Sequence, residues 1–193
     1  METNSKALAT ALLVMDIQPA TLGRLGDGAA APIAAINRAI AAARTASIPV
    51  IYVVVGFRKG FPEIGSSNKS FSAIRQAGSM PGLEEPISVD PAVSPQPGDM
   101  VVTKRRVSAF MGTDLDMILR SNGIHTLVMC GVVTSGVVLS TLCHAADSDY
   151  RLVVLRDCCS DIDQGAHALL MEKVFPRHAT LLTSAELIDI LKD

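Results

Sequence analysis

Short aliphatic runs alternate with segments of helical period along most of the chain. The first run, Ala11 to Met15, stops at Asp16, and the second, Val50 to Val55, is wholly β-branched or aromatic. Such runs suit strands buried on both faces. Others lie at Met100–Thr103, Thr126–Cys130, Leu152–Leu155 and near Thr180–Leu182. A helix is predicted from about Gly28 to Ala46, with Ile33, Ile36 and Ile40 on one face and Pro32 in its first turns. Thr113 and Asp116 open a short helix in capping-box fashion, closed by Asn122-Gly123. Further helices are predicted from Gly136 to about Ser148 and from Asp163 to Phe175, the latter stopped by Pro176. Thr183 and Glu186 cap a terminal helix.

This alternation defines an α/β fold: a three-layer α/β/α sandwich around a doubly wound, six-stranded parallel sheet. One domain over residues 1–193 is expected, with no internal repeat. The stretch from Gly56 to Asp99 is dense in Gly, Pro and Ser and carries one short helical pattern near Ser70–Gln76. Stretches this long usually cover a site. In doubly wound sheets ligands bind beyond the carboxyl ends of the strands, where strand order switches. The residues just after each strand are therefore the ones to read.

Composition narrows the partners. The net charge is −2 and no basic stripe appears, so neither nucleic acid nor an anionic membrane is expected to bind. No apolar run approaches the ~18 residues of a membrane span. The N-terminal residues lack the charged start, apolar core and cleavage site of a secretion signal. Cys130, Cys143, Cys158 and Cys159 form no disulfide framework. A cytoplasmic protein with reduced thiols is the expectation. His125, His144, His167 and His178 show no metal-ligand spacing, and no metal or cofactor is expected.

Three places can carry chemistry. Asp16, directly after an aliphatic strand, is partly desolvated, which raises a carboxyl pKa towards neutrality and suits proton transfer. Taken alone, such an Asp can equally cap a turn. Lys104 follows the third run and can neutralise Asp16 or hold an anion. The turn Gly131-Val132-Val133-Thr134-Ser135-Gly136 leads from strand to helix, and its N–H groups can bind an anion or oxyanion. It is neither a P-loop nor a dinucleotide fingerprint. Arg58 and Arg75, in the long stretch, can meet a substrate carboxylate, although most such arginines are solvated.

In order and spacing, Leu13-Val14-Met15-Asp16-Ile17-Gln18, Pro97-Gly98-Asp99 before the Lys104 strand, Ser108-Ala109-Phe110 with Thr113 and Leu115, and Gly131-Val132-Val133-Thr134-Ser135 resemble the isochorismatase-like (cysteine hydrolase) superfamily. The resemblance implies a six-stranded parallel sheet and a homo-oligomer, a dimer or tetramer. It implies an Asp–Lys–Cys triad, of which Asp16 and Lys104 match two members. The third position reads Val137. Valine has no lone pair, so a covalent thioester cannot form there. The metal-binding D-x-H that nicotinamidases carry after the second strand is also missing from Val54–Arg58.

Isochorismatases are the members that work without the cysteine. The resemblance then implies that Asp16 acts as general acid on the vinyl ether of isochorismate, or a related small anionic enol ether, giving pyruvate and a dihydrodiol. Lys104 orients substrate and acid, and Gln18, Val132, Val133, Thr134, Ser135 and Gly136 bind substrate. Val137 supplies apolar packing, and a cis peptide is expected at Val132–Val133. Two alternatives stay open. One is a non-catalytic binding or scaffolding member. The other is an amide hydrolase using a different nucleophile, such as Cys158 or Cys159.

Overall fold

The computed structural model describes residues 9–77, 87–93 and 95–192. Residues 78–86 of the unpatterned stretch, and residues 1–8 on which the expectation about a secretion signal partly rests, lie outside the described residues. Six strands form one parallel sheet: β1 (Thr10–Met15), β2 (Val50–Val55), β3 (Met100–Lys104), β4 (Thr126–Val132), β5 (Arg151–Ser160) and β6 (Thr180–Leu182). Their order is β3-β2-β1-β4-β5-β6. The order reverses between β1 and β4, so the switch point lies at their carboxyl ends.

Side-chain alternation divides the core in two. Leu13 and Met15 of β1 enter one hydrophobic cluster, and Leu12 and Val14 enter the other. On the second face lie α1 (Ala30–Thr45), through Ala35, Ile36, Ala39, Ile40 and Ala43, and α6 (Ser184–Lys192), through Leu187. On the first lie α3 (Leu115–Ser121) and α4 (Leu139–Asp147). These supply Leu115, Leu119, Leu142 and Ala145. Both faces are covered, so the strands read as continuous apolar runs; all six residues of β2 are buried. The fold class, a three-layer single domain around a doubly wound parallel sheet, is the one expected.

The differences from expectation are local. The first helix starts at Ala30 rather than Gly28, because Gly26–Ala29 form a 3₁₀ turn. The predicted helix from Asp163 is α5 (Gln164–Leu169), followed by a π-helical turn at Leu170–Val174 and a 3₁₀ turn at Phe175–Arg177 containing Pro176. The Thr113–Asp116 capping box does not form. Thr113 Oγ1 accepts from Leu115 N, while Asp116 accepts from the Tyr150 hydroxyl and from Arg120. The Thr183–Glu186 box does form: Thr183 N donates to Glu186 Oε2 (2.6 Å) and Glu186 N to Thr183 Oγ1 (3.2 Å).

β5 is the largest correction. It continues past Leu155 to Ser160, because a register shift between Met129 and Gly131 lets it follow β4 to its end. Asp157 is therefore inside the strand. Its carboxylate accepts from Ser184 N (2.8 Å) and Ser184 Oγ (2.6 Å), tying the start of α6 to the sheet. The acid that follows the strand is Asp161.

α2 (Lys69–Ala77), predicted as Ser70–Gln76, belongs to neither layer. Its residues Ser70, Phe71 and Ala73 line a cavity together with Val55 and Lys104, the last residues of β2 and β3. Phe71 meets Phe57 edge-on (5.2 Å between ring centroids), and Phe57 meets Phe61 (6.1 Å). Arg75 donates to Ile64 O (2.8 Å), so it fastens the helix to the loop before it.

Candidate active site

Asp16 sits one residue beyond β1 with φ 55°, in the left-handed region that Asp tolerates better than most residues. Its backbone is fixed on both sides. Asp16 N donates to Val53 O (2.8 Å), and Asp16 O accepts from Gln18 N (3.0 Å) and from the Thr21 hydroxyl. Lys104 ends β3, on the far side of β2. Its long stem crosses the end of β2, and Nζ comes within 3.0 Å of Asp16 Oδ2. The ammonium also donates to Arg106 O (3.1 Å). Both side chains are buried, Lys104 at 2% exposure and Asp16 at 9%.

Burial pushes the Asp16 carboxyl above the usual carboxylate range, and the Lys104 ammonium pulls it only part of the way back. The other oxygen, Oδ1, is buried with no hydrogen-bond partner. A buried carboxyl oxygen without a partner is costly, and it is a natural place for a substrate proton.

The third wall is the turn after β4. The Val132–Val133 peptide is cis, as expected, and Thr134–Val138 form a π-helical turn leading into α4. Gly131 has φ 146°, and a Cβ there would lie 2.2 Å from Met15 O, so β1 and β4 approach closely only because this residue is glycine. A cavity of about 310 Å³ opens between these parts. Asp16, Lys104, Val132, Val133, Gly136 and Val137 line it, with Ala20, Thr21, Arg24, Val55, Val107 and the α2 residues Ser70, Phe71 and Ala73. Asp16, Lys104 and the turn thus converge on one site.

Three expected substrate contacts stand behind that wall. The Gln18 side chain is fully buried: Nε2 donates to Val55 O (3.1 Å) and Oε1 accepts from Val55 N (2.8 Å). Thr134 Oγ1 is hydrogen-bonded to His167 Nδ1 (2.8 Å). The Ser135 N–H donates to Asp161 Oδ2 (2.7 Å), so that N–H is already engaged. These residues shape the site and do not line it. Arg58 pairs with Glu63 (2.6 Å) and Arg75 with Ile64 O, so neither expected arginine lines the cavity.

Cys158 and Cys159 are buried in β5 and do not line the cavity. Burial pushes both thiols up, that of Cys159 to about 12, away from the thiolate a nucleophile needs.

Sequence reading missed Asp161 and Arg24. Asp161 is buried, which pushes its carboxyl up, but hydrogen bonds from Ser135, Asp163 and Ile162 outweigh this and hold it below the usual range. Its stabilising effect is therefore present above about pH 4 and lost as pH falls through the lowered folded value. Asp161→Asn is expected to cost about 1.5–3 kcal/mol near neutrality. Urea melts of wild type and variant should draw together as pH is lowered; a gap that stays constant with pH contradicts the assignment.

An acid, a cation and a strand-to-helix turn meet beyond the carboxyl ends of a six-stranded parallel sheet, where doubly wound folds bind their ligands. The chain belongs to the isochorismatase family, whose domain model matches residues 10–186. It is 36% identical to ureidoacrylate amidohydrolase RutB of Pseudomonas syringae pv. syringae, over 77% of this chain and 69% of that one. It is 31% identical to the isochorismatase family protein YecD of Escherichia coli O157:H7, over 99% and 100%. An isochorismatase family protein of Burkholderia thailandensis superposes with a TM-score of 0.83 at 27% identity, covering 96% of this chain and 97% of that one. The chain is therefore an isochorismatase-like hydrolase by family, and the RutB relatives are named for amide hydrolysis.

Proposed function

We propose that this protein hydrolyses a small carboxylate substrate by proton transfer at Asp16, with no covalent intermediate. The observation that carries the reading is the buried Asp16 carboxyl, with Oδ1 unpartnered, lining one cavity with Lys104 and with Val137, the position to which the family resemblance assigns the nucleophile. The first substrate class is an enol ether such as isochorismate. Protonated Asp16 donates its proton to the vinyl methylene carbon, which leaves an oxocarbenium ion. Water adds to that cation and returns a proton to Asp16. The hemiketal then collapses to pyruvate and the free alcohol. Lys104 holds the carboxyl in place and stabilises its ionised form after donation. Val132, Val133 and Val137 give the reacting group an apolar wall.

A second reading follows from the relatives named ureidoacrylate amidohydrolase. With valine at position 137, water itself attacks the carbonyl carbon, and ionised Asp16 takes its proton. The two readings predict opposite pH dependence. Acid catalysis needs the protonated carboxyl, so kcat/KM falls as pH rises through the raised pKa of Asp16. Base catalysis needs the carboxylate, so kcat/KM rises there. Isochorismate is assayed for pyruvate and ureidoacrylate for ammonia, each across pH 4–9. Pyruvate release with a falling limb supports the first reading. Ammonia release with a rising limb replaces it by the second. Binding of either compound without turnover makes the chain a non-catalytic member of the family.

A further inference from the structure

Of the charged residues lining the cavity among the described residues, Asp16 and Lys104 are committed to one another at 3.0 Å. The third is Arg24, which follows the helical turn Pro19–Leu22 and faces solvent at the cavity mouth. Among the described residues its guanidinium has neither an ion-pair partner nor a side-chain hydrogen bond. Nearby arginines differ in this respect. Arg58 and Arg105 both reach Glu63, Arg75 donates to Ile64 O, and Arg106 donates to Arg105 O.

A lone surface arginine is usually solvated. Two features set Arg24 apart. It lines the same small cavity as Asp16, whose carboxyl has one oxygen, Oδ1, buried without a hydrogen-bond partner. The walls between are largely apolar, formed by Val55, Phe71, Val107, Val133 and Val137, which strengthens any ion pair formed there.

We propose that Arg24 is a carboxylate anchor, holding an anionic end of the substrate at the cavity mouth, away from the bond that Asp16 acts on. The anchor rests on the reading of this cavity as the hydrolytic site. Guanidinium matches carboxylate in a planar two-point contact, and it keeps its charge across the pH range in which Asp16 titrates. Asp16 carries the labile proton, whereas Arg24 supplies a fixed charge. Substrate orientation is thereby separated from proton transfer. The cavity's size, about 310 Å³, restricts the ligand to a small molecule with its carboxylate near one end.

The test is binding rather than turnover. Calorimetric titration of the full chain uses crotonate, benzoate and 3-ureidoacrylate, each beside its primary carboxamide. The wild type is expected to bind at least one carboxylate about tenfold or more tighter than its amide, a preference that persists at both pH 6 and pH 9. Arg24→Gln is expected to weaken that carboxylate by about tenfold or more and leave the amide unchanged, the size of a charged hydrogen bond. Arg24→Lys keeps the charge but not the fork and falls between. Arg58→Gln, which breaks only the contact with Glu63, binds as wild type does. No carboxylate preference in the wild type overturns the proposal. So does an Arg24→Gln variant that keeps the wild-type preference, or one that loses amide and carboxylate binding alike. Because Asp16 chemistry is not needed, a protein that selects carboxylates yet turns over no substrate removes the proposed function and leaves the anchor standing.

Discussion

Replacing Asp16 by asparagine is expected to lower kcat/KM about a thousandfold, within the range that general acid–base groups contribute. The same change strands the Lys104 ammonium, buried and without a counter-ion, which costs about 3–5 kcal/mol of stability. A loss of activity alone is therefore ambiguous, since a partly unfolded enzyme also loses activity. The double variant Asp16→Asn/Lys104→Met resolves this. It removes the stranded charge, and replacing both members of a buried pair is often close to neutral. Urea melts should show most of the stability restored, while kcat/KM stays at the level of Asp16→Asn. Activity that returns with stability would show that the pair holds the fold together and does no chemistry.

The second large effect is on stability. Gly131→Ala puts a Cβ 2.2 Å from Met15 O and 2.9 Å from Met15 Cβ. The nearest obstacle is main chain of the neighbouring strand, so no rotamer change relieves it. β1 and β4 must separate at the switch point, at a cost of about 4 kcal/mol or more. Gly123→Ala serves as the comparison. Gly123 also has positive φ, at 64°, but nothing lies within 4 Å of its would-be Cβ. It carries only the left-handed penalty of about 1–2 kcal/mol. Equal losses in denaturant melts would mean that backbone conformation, and not the close approach of the strands, makes glycine necessary at position 131.

The parts of this site that sequence reading located are those fixed by strand ends. A hydrophobic run in a parallel sheet must stop where the sheet stops. Asp16 and Lys104 stand at those stops, and the family resemblance, counted on from Gly131, singles out Val137. The expected cis peptide at Val132–Val133 is also present. Where reading failed, the pairing was between distant parts. Asp161 is not legible in the sequence because Cys158-Cys159-Ser160 is not an aliphatic run and the apolar pattern of β5 stops at Leu155. Gln18 looked available to substrate because its partner, the Val55 backbone, lies 37 residues away. Arg24 carries no pattern of its own. Its one signal is position, a helical turn beyond an acid that ends a strand. The residues of α2 were unreadable as a site for the same reason: nothing in the Gly56–Asp99 stretch says over which strand ends it folds.

The two hydrogen bonds of Gln18 have a wider consequence. Its side-chain amide imitates a peptide group and adds one more rung to the β1–β2 ladder beyond the point where β1 ends. The floor of the cavity is thereby welded to the sheet. Another wall is attached differently: among the described residues, α2, nine residues long, is held by phenylalanine contacts and one arginine. Floor and wall can consequently diverge at different rates. Substitutions along α2 can change which molecule is admitted without disturbing the proton chemistry beneath, so one floor can serve a succession of substrates as the wall is rewritten.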